Sequence, residues 1–227
     1  MTIAAFIQVS LGSTMSLSGR FQTATVLDQV NIKNLYTVIR AIVAITFVLE
    51  SIGVLLFLPY FTGTRATGLG ALFHSLFHSI SAFCNAGFSL YPDSFMGARP
   101  NIWVNSILIF LIVTGGFGFT VLLNLGRKIT QGPKERISVQ SRIVLLSSLF
   151  FIFFGALGFY LFEREGILAG ARPHEKFLAS VFQSVTTRTA GFNTVETGAL
   201  RPFTLFMMSI LMSVSYTHLT LPTTPYV

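Results

Sequence analysis

The side chains able to do chemistry in this sequence stand where ionisation is costly. Glu50 falls inside an apolar run, His74 and His78 sit four apart on one face of a predicted helix, Cys84 and Asn85 precede an Ala-Gly pair, and Arg188 precedes another. Histidines at i and i+4 suit zinc when a glutamate base lies between them and a third ligand follows. Here Ser75-Leu76-Phe77 fills the interval with no third ligand near, so packing and hydrogen bonding are the preferred roles. Glu50 reads as a buried hydrogen-bond acceptor ahead of a proton relay. Arg188 reads as half of an ion pair that braces its loop, with Glu50 as a candidate partner, because a bare guanidinium in lipid costs several kcal/mol. The lone Cys84 forbids an intrachain disulfide and a multi-cysteine metal cluster. An intramembrane enzyme would need a nucleophile with its base or a complete metal set, and the histidine stretch supplies neither.

These residues are carried by elements that belong in lipid. Hydrophobic residues make up 52% of the 227 and charged residues 10%, against about 25% charged in soluble domains. That excludes most soluble enzymes and predicts an all-α integral membrane protein. Ala41 to Leu58, Ile102 to Leu125 and Ile143 to Phe162 are uninterrupted apolar stretches long enough to span, whereas Phe203 to Val214 is too short. Gly70 to Phe88 and Phe177 to Phe192 are interrupted by polar residues and suit half-length re-entrant segments. The formal charge of +7 is concentrated before the first span (net +2) and after the second (net +4), while the segments between are nearly balanced. The basic segments are therefore cytoplasmic and the re-entrant segments enter from outside. No aromatic residue interleaves the charges of the more basic segment, Arg127 to Arg142, so a nucleic-acid surface is disfavoured. The stretch Ser16 to Leu35 is loosely amphipathic and suits the cytoplasmic membrane surface or a partner.

The pattern span, re-entrant segment, span occurs twice. From Leu58 to Gly87 is 29 residues, and from Phe162 to Gly191 is 29. Phe77-His78-Ser79-Ile80 matches Phe182-Gln183-Ser184-Val185, and Ala86-Gly87-Phe88 matches Ala190-Gly191-Phe192, with one residue of slippage between the blocks. Because both copies run in the same direction, an inverted-repeat carrier is disfavoured. A helix over Ala71 to Phe83 is about 20 Å long and reaches only part way through a core of about 30 Å. Its C-terminus, carrying about half a negative charge and unpartnered carbonyls, would favour a cation. The chain beyond must return as irregular backbone, with Gly87 and Gly191 giving the freedom to turn carbonyls toward a path.

Ser81-Ala82-Phe83-Cys84-Asn85-Ala86-Gly87-Phe88-Ser89-Leu90 and Gln183-Ser184-Val185-Thr186-Thr187-Arg188-Thr189-Ala190-Gly191-Phe192-Asn193-Thr194-Val195 resemble the second and third pore loops of the Trk/Ktr/HKT potassium transporter superfamily. The closer likeness is to Ktr-type bacterial membrane subunits, and Thr114-Gly115-Gly116-Phe117-Gly118-Phe119 resembles that family's inner helix. The resemblance implies four membrane-pore-membrane repeats around an ion path in the plasma membrane. It also implies pairing as a homodimer and docking of a cytosolic nucleotide-binding regulatory subunit. It further implies potassium uptake, with sodium as the alternative ion, no other cofactor and no nucleic acid. On this reading Asn85, Ala86, Gly87, Thr189, Ala190 and Gly191 form filter strands, supported by Cys84, Phe88, Arg188 and Phe192. The chain then corresponds to an internal portion. Residues 1–34 are the end of a preceding inner helix and a linker, 35–128 one repeat, and 129–214 most of the next. Residues 215–227 resemble the translation of a transposon end used in library preparation and are set apart as non-native. The competing reading is a small-solute carrier with broken helices, which calls for a roomy pocket with side-chain ligands. The residues at both turns are small instead.

Overall fold

The computed structural model describes residues 35–64, 68–132, 137–188 and 190–219. The expectations for the amphipathic stretch before Leu35, for Thr189 and for residues 220–227 lie outside them. The described elements are the helices α1 (Leu35–Thr64), α2 (Leu69–Phe83), α3 (Ile102–Gly116), α4 (Phe119–Gln131), α5 (Val139–Glu163), α6 (Pro173–Thr186) and α7 (Pro202–Leu219). Single 3-10 turns sit at Met96–Ala98 and Thr197–Ala199, and no strand occurs among the described residues. This is an all-α membrane protein. α1 and α5 are long and apolar enough to cross a bilayer within Thr37–Gly63 and Val139–Glu163.

Two differences from the sequence reading stand out. The stretch Ile102 to Leu125 is not one uninterrupted helix, because α3 stops at Gly116 and α4 resumes at Phe119. Gly118 adopts φ 78°, which an α-helix cannot contain, and consecutive glycines supply little helix propensity to resist the break. α7 continues through Ser215 to Leu219, beyond the apolar run that ends at Val214.

The chain divides into two compact units. The larger comprises Leu49–Gly116 and Ile143–Thr220. The other includes residues 35–48, 117–132 and 137–142 among those described. In the smaller unit Val38, Ile39, Ile42 and Leu123 form an apolar cluster. Ser138 caps α5 by accepting from the Ser141 amide at 3.2 Å, and Asn124 Nδ2 donates to Ser138 Oγ at 3.0 Å and Ser141 Oγ at 2.8 Å.

The larger unit is organised around α3, which packs against both α2 and α6. α3 is apolar around its circumference, as a helix between two others must be, and buries Val104, Ile107, Leu108, Leu111 and Ile112. Both short helices belong to segments that return to where they began. The Glu163 carboxylate at the end of α5 is fully buried and accepts from the Arg201 amide at 2.9 Å and Thr204 Oγ1 at 2.6 Å at the start of α7. Its second oxygen accepts from the Ile167 amide at 3.3 Å. In the first copy, Trp103 Nε1 near the start of α3 donates to Leu56 O of α1 at 2.9 Å. In both copies the ends flanking the short helix are thus bonded to each other.

The repeat extends into packing detail. Ser79 Oγ of α2 donates to Glu50 O of α1 at 2.7 Å, and Ser184 Oγ of α6 donates to Ile152 O of α5 at 2.8 Å. Three residues beyond each acceptor stands a glycine. A Cβ on Gly53 would collide with Ser79 Oγ and lie 2.9 Å from Leu111 Cδ1, while one on Gly155 would collide with Ser184 Oγ and lie 3.0 Å from Leu211 Cδ1. Small residues at these crossings let the helix backbones approach. Gly53→Ala should therefore lower stability by about 1–3 kcal/mol, the usual cost of overpacking. Ser79→Ala in the same chain should recover part of that loss. A double-mutant cycle on the unfolding midpoint in detergent checks this, and strict additivity would show that the two side chains do not compete for the same space.

Candidate functional site

The ends of α2 and α6 converge on two short backbone segments, 84–88 and 188–192 of which Thr189 lies outside the described residues. Gly87 and Gly191 face each other in direct contact. A Cβ built on Gly191 would lie 3.1 Å from Gly87 Cα, and one built on Gly87 would lie 2.7 Å from both Gly191 Cα and Ala190 O. Their φ values are 71° and 77°, which strains any L side chain at either position, and at Gly87 the backbone of the other segment also leaves no room for one.

A hydroxyl residue organises each turn. Ser81, in the last turn of α2, accepts from the Ala86 amide at 2.9 Å through its carbonyl and donates its hydroxyl to Phe88 O at 2.8 Å. Thr186, the last residue of α6, accepts from the Ala190 amide at 3.0 Å and donates to Phe192 O at 2.6 Å. The glycine of each segment thus sits between two backbone groups held by the same residue. The one-residue slippage between the copies is absorbed inside this clamp. In the first copy Ala86 bonds five residues back and Asn85 bonds Ala82 O at 3.2 Å, a Schellman closure with Asn85 left-handed at φ 52°. The second copy closes four residues back, from Ala190 to Thr186.

The supporting residues differ between copies. Phe192 is fully buried, edge-on to Phe95 at 5.6 Å, whereas Phe88 is 69% exposed. Arg188 is 8% exposed, and a Cβ on Gly116 would meet its Nη2 at 3.5 Å and the Asn85 amide at 3.4 Å. With its amide turned to satisfy both groups, Asn85 donates to Ile112 O and Ala82 O, each at 3.3 Å. Cys84 is exposed, its sulfur 4.0 Å from Glu50 Oε1. At Gly115 any side chain would run into Phe83 O, so the last carbonyl of α2 rests on the bare backbone of α3.

His74 and His78 form part of an aromatic stack. Both lie parallel to Tyr91 at 5.4 Å, with Tyr91 Oη 3.0 Å from His74 Nδ1. His78 Nδ1 lies 2.7 Å from His74 O, which assigns the proton to Nδ1, leaving Nε2 to accept from Ser89 Oγ and the Leu90 amide, both at 3.4 Å. The histidine ring therefore braces the chain leaving the first turn. The two copies are tied beyond the glycines by Phe95 N donating to Asn193 O at 2.9 Å and Asn193 N donating to Ser94 Oγ at 3.2 Å.

Sequence reasoning placed Ala86, Gly87, Ala190 and Gly191 together, and the structure brings them together. It missed Ser81, Thr186, Ser94 and Asn193 as site-forming residues. A signal for the first two existed, since a hydroxyl residue stands six positions before Gly87 and five before Gly191.

A family model described as a cation transport protein, TrkH, matches residues 1–220. The Ktr system potassium uptake protein B of Bacillus subtilis (strain 168) is 33% identical over 214 residues, covering 93% of this chain and 47% of that protein. Its namesake from Vibrio alginolyticus matches with the same identity and coverage. The potassium/sodium uptake protein NtpJ of Enterococcus hirae is 28% identical, covering 74% of this chain and 38% of that protein. The chain spans about half the length of the Ktr relatives it matches.

Asn85→Gly and Asn85→Val both lose the side-chain hydrogen bonds of Asn85, but only valine keeps a β-carbon at the left-handed position. Asn85→Val should therefore be less stable than Asn85→Gly by about 1–2 kcal/mol. Unfolding midpoints of the two variants, measured side by side, test the Schellman closure, and equal midpoints would contradict it.

Proposed function

The chain belongs to the TrkH family of cation transport proteins, and on that premise we propose that it forms part of the pore of a potassium uptake protein in the bacterial plasma membrane. Asn85, Ala86 and Gly87 with Thr189, Ala190 and Gly191 would supply two backbone strands of its selectivity filter. The observation that carries this reading is the glycine pair. Two left-handed glycines, each at the end of a half-length helix, meet where no side chain fits. The helix C-termini add partial negative charge toward that point, which favours a cation without a fixed carboxylate. Dehydration is then compensated by carbonyl oxygens, and no covalent step is involved.

Ion movement follows the electrochemical gradient, with potassium as the ion and sodium as the competitor whose rejection depends on how rigidly the strands are held. The proposal includes the assembly implied by the pore-loop resemblance: a homodimer of the intact subunit with a cytosolic nucleotide-binding regulatory partner. Cys84, Phe88, Arg188 and Phe192 would support the strands. Arg188, largely buried beside Gly116, is placed to brace the inner helix against the second strand.

The test is Gly87→Ser in the intact transporter. The added atoms would strike Ala190 O and Gly191, and the left-handed backbone would be strained. Potassium-over-sodium uptake should fall by roughly tenfold, the equivalent of about 1.4 kcal/mol of lost discrimination. Uptake by an uptake-deficient bacterium, followed in parallel for both ions, measures it. Unchanged discrimination would remove the filter assignment.

A further inference from the structure

We propose that the side-chain hydroxyls of Ser81 and Thr186 are positioning groups for ion discrimination, holding the two filter strands at the spacing on which selectivity depends. The inference rests on the filter reading and goes beyond it, because neither hydroxyl is placed in the ion path. Each belongs to the helix end behind a strand and reaches past the glycine to the following phenylalanine carbonyl, at 2.8 Å from Ser81 and 2.6 Å from Thr186. The main-chain carbonyl of the same residue receives the amide of the alanine before the glycine, at 2.9 Å and 3.0 Å. The Ala-Gly step is therefore pinned on both sides by one residue.

Three observations separate this arrangement from ordinary helix capping. It occurs in both copies although the loops differ in length by one residue, so the two hydroxyl contacts are preserved where the backbone route between them is not. Both residues are 5% exposed, and the bond from Thr186 to Phe192 is buried, so removing that hydroxyl leaves the Phe192 carbonyl without ready access to water. The rest of the last helical turn is held by other bonds. Cys84 N reaches Ile80 O at 2.9 Å, and Thr187 N reaches Gln183 O at 3.2 Å while its own hydroxyl turns back to Ser184 O at 2.6 Å. Loss of either clamp hydroxyl therefore frees the strand without unwinding the helix. A strand released at its far end can shift its carbonyls by the few tenths of an ångström that distinguish a smaller ion from a larger one.

The experiment uses the intact transporter carrying Ser81→Ala, Ser81→Thr, Thr186→Val and Thr186→Ser, each followed for amount in the membrane, unfolding midpoint, and potassium and sodium uptake. Ser81→Ala and Thr186→Val should each reduce potassium-over-sodium discrimination by roughly fivefold to tenfold, the scale of one net hydrogen bond. Their amount in the membrane should be preserved. Ser81→Thr and Thr186→Ser, which keep the hydroxyl, should retain discrimination near the unmodified level. Unaltered discrimination in Ser81→Ala and Thr186→Val would overturn the inference. So would loss of both proteins from the membrane while the hydroxyl-bearing pair accumulates normally, because the hydroxyls would then serve folding alone. If Gly87→Ser shifts discrimination and the clamp variants do not, only this inference fails. If none of them shifts it, the filter reading fails as well.

Discussion

Two helices of this protein stop inside it, and the carbonyls and amides at such an end would each cost several kcal/mol if left bare. The solution is the same in both places. A serine or threonine in the final turn uses its carbonyl and its hydroxyl to hold the backbone on both sides of the glycine, so the chain turns back with those groups partnered. The left-handed glycines, the contact between the two segments and the bridge from Ser94 and Phe95 to Asn193 all presuppose that turn. Without it the short helices would have no reason to end where they do.

The inner helix α3 is the second condition. It lies against both short helices, and its Gly115 lets the last carbonyl of α2 rest on bare backbone. Aromatic and histidine rings fill the space behind the first turn, while the second turn is backed by Gln183, whose amide reaches Met208 Sδ at 3.7 Å. Equivalent positions thus hold different chemistry, His78 in one copy and Gln183 in the other. What the copies keep in common is narrower than a sequence alignment suggests: a hydroxyl clamp, a glycine, and a serine bonded to the neighbouring span.

Much of this was legible from residue types alone. Composition gave the lipid setting, and the matched 29-residue intervals located the two glycines that meet. The histidine pair was correctly read as packing and hydrogen bonding, because Ser75-Leu76-Phe77 leaves no metal set between its members. The clamp was not anticipated, since a hydroxyl six residues before a glycine is an unremarkable spacing until the chain reverses and brings them together. By residue type Gly115, Gly116 and Gly118 favour close packing over a bend, and the break between Gly116 and Phe119 goes against that preference. Hydropathy is continuous across it, and the deciding variable is the dihedral of Gly118, which a hydropathy average does not register.

The buried carboxylate of Glu163 has a topological consequence. By binding the Arg201 amide and the Thr204 hydroxyl, it joins the two ends of a ring whose perimeter contains α6 and the entire second turn. A ring with fixed ends has a fixed contour, so extra residues inserted within it have few places to go besides the surface loops at Gly166 to Arg172 and around Thr197. Inserted anywhere between α6 and Asn193, they would instead displace the apex. A change of length in that inner arc is consequently felt at the apex, much as the period of a winding is set by the bobbin, while one in the outer loops of the same ring is taken up at the surface.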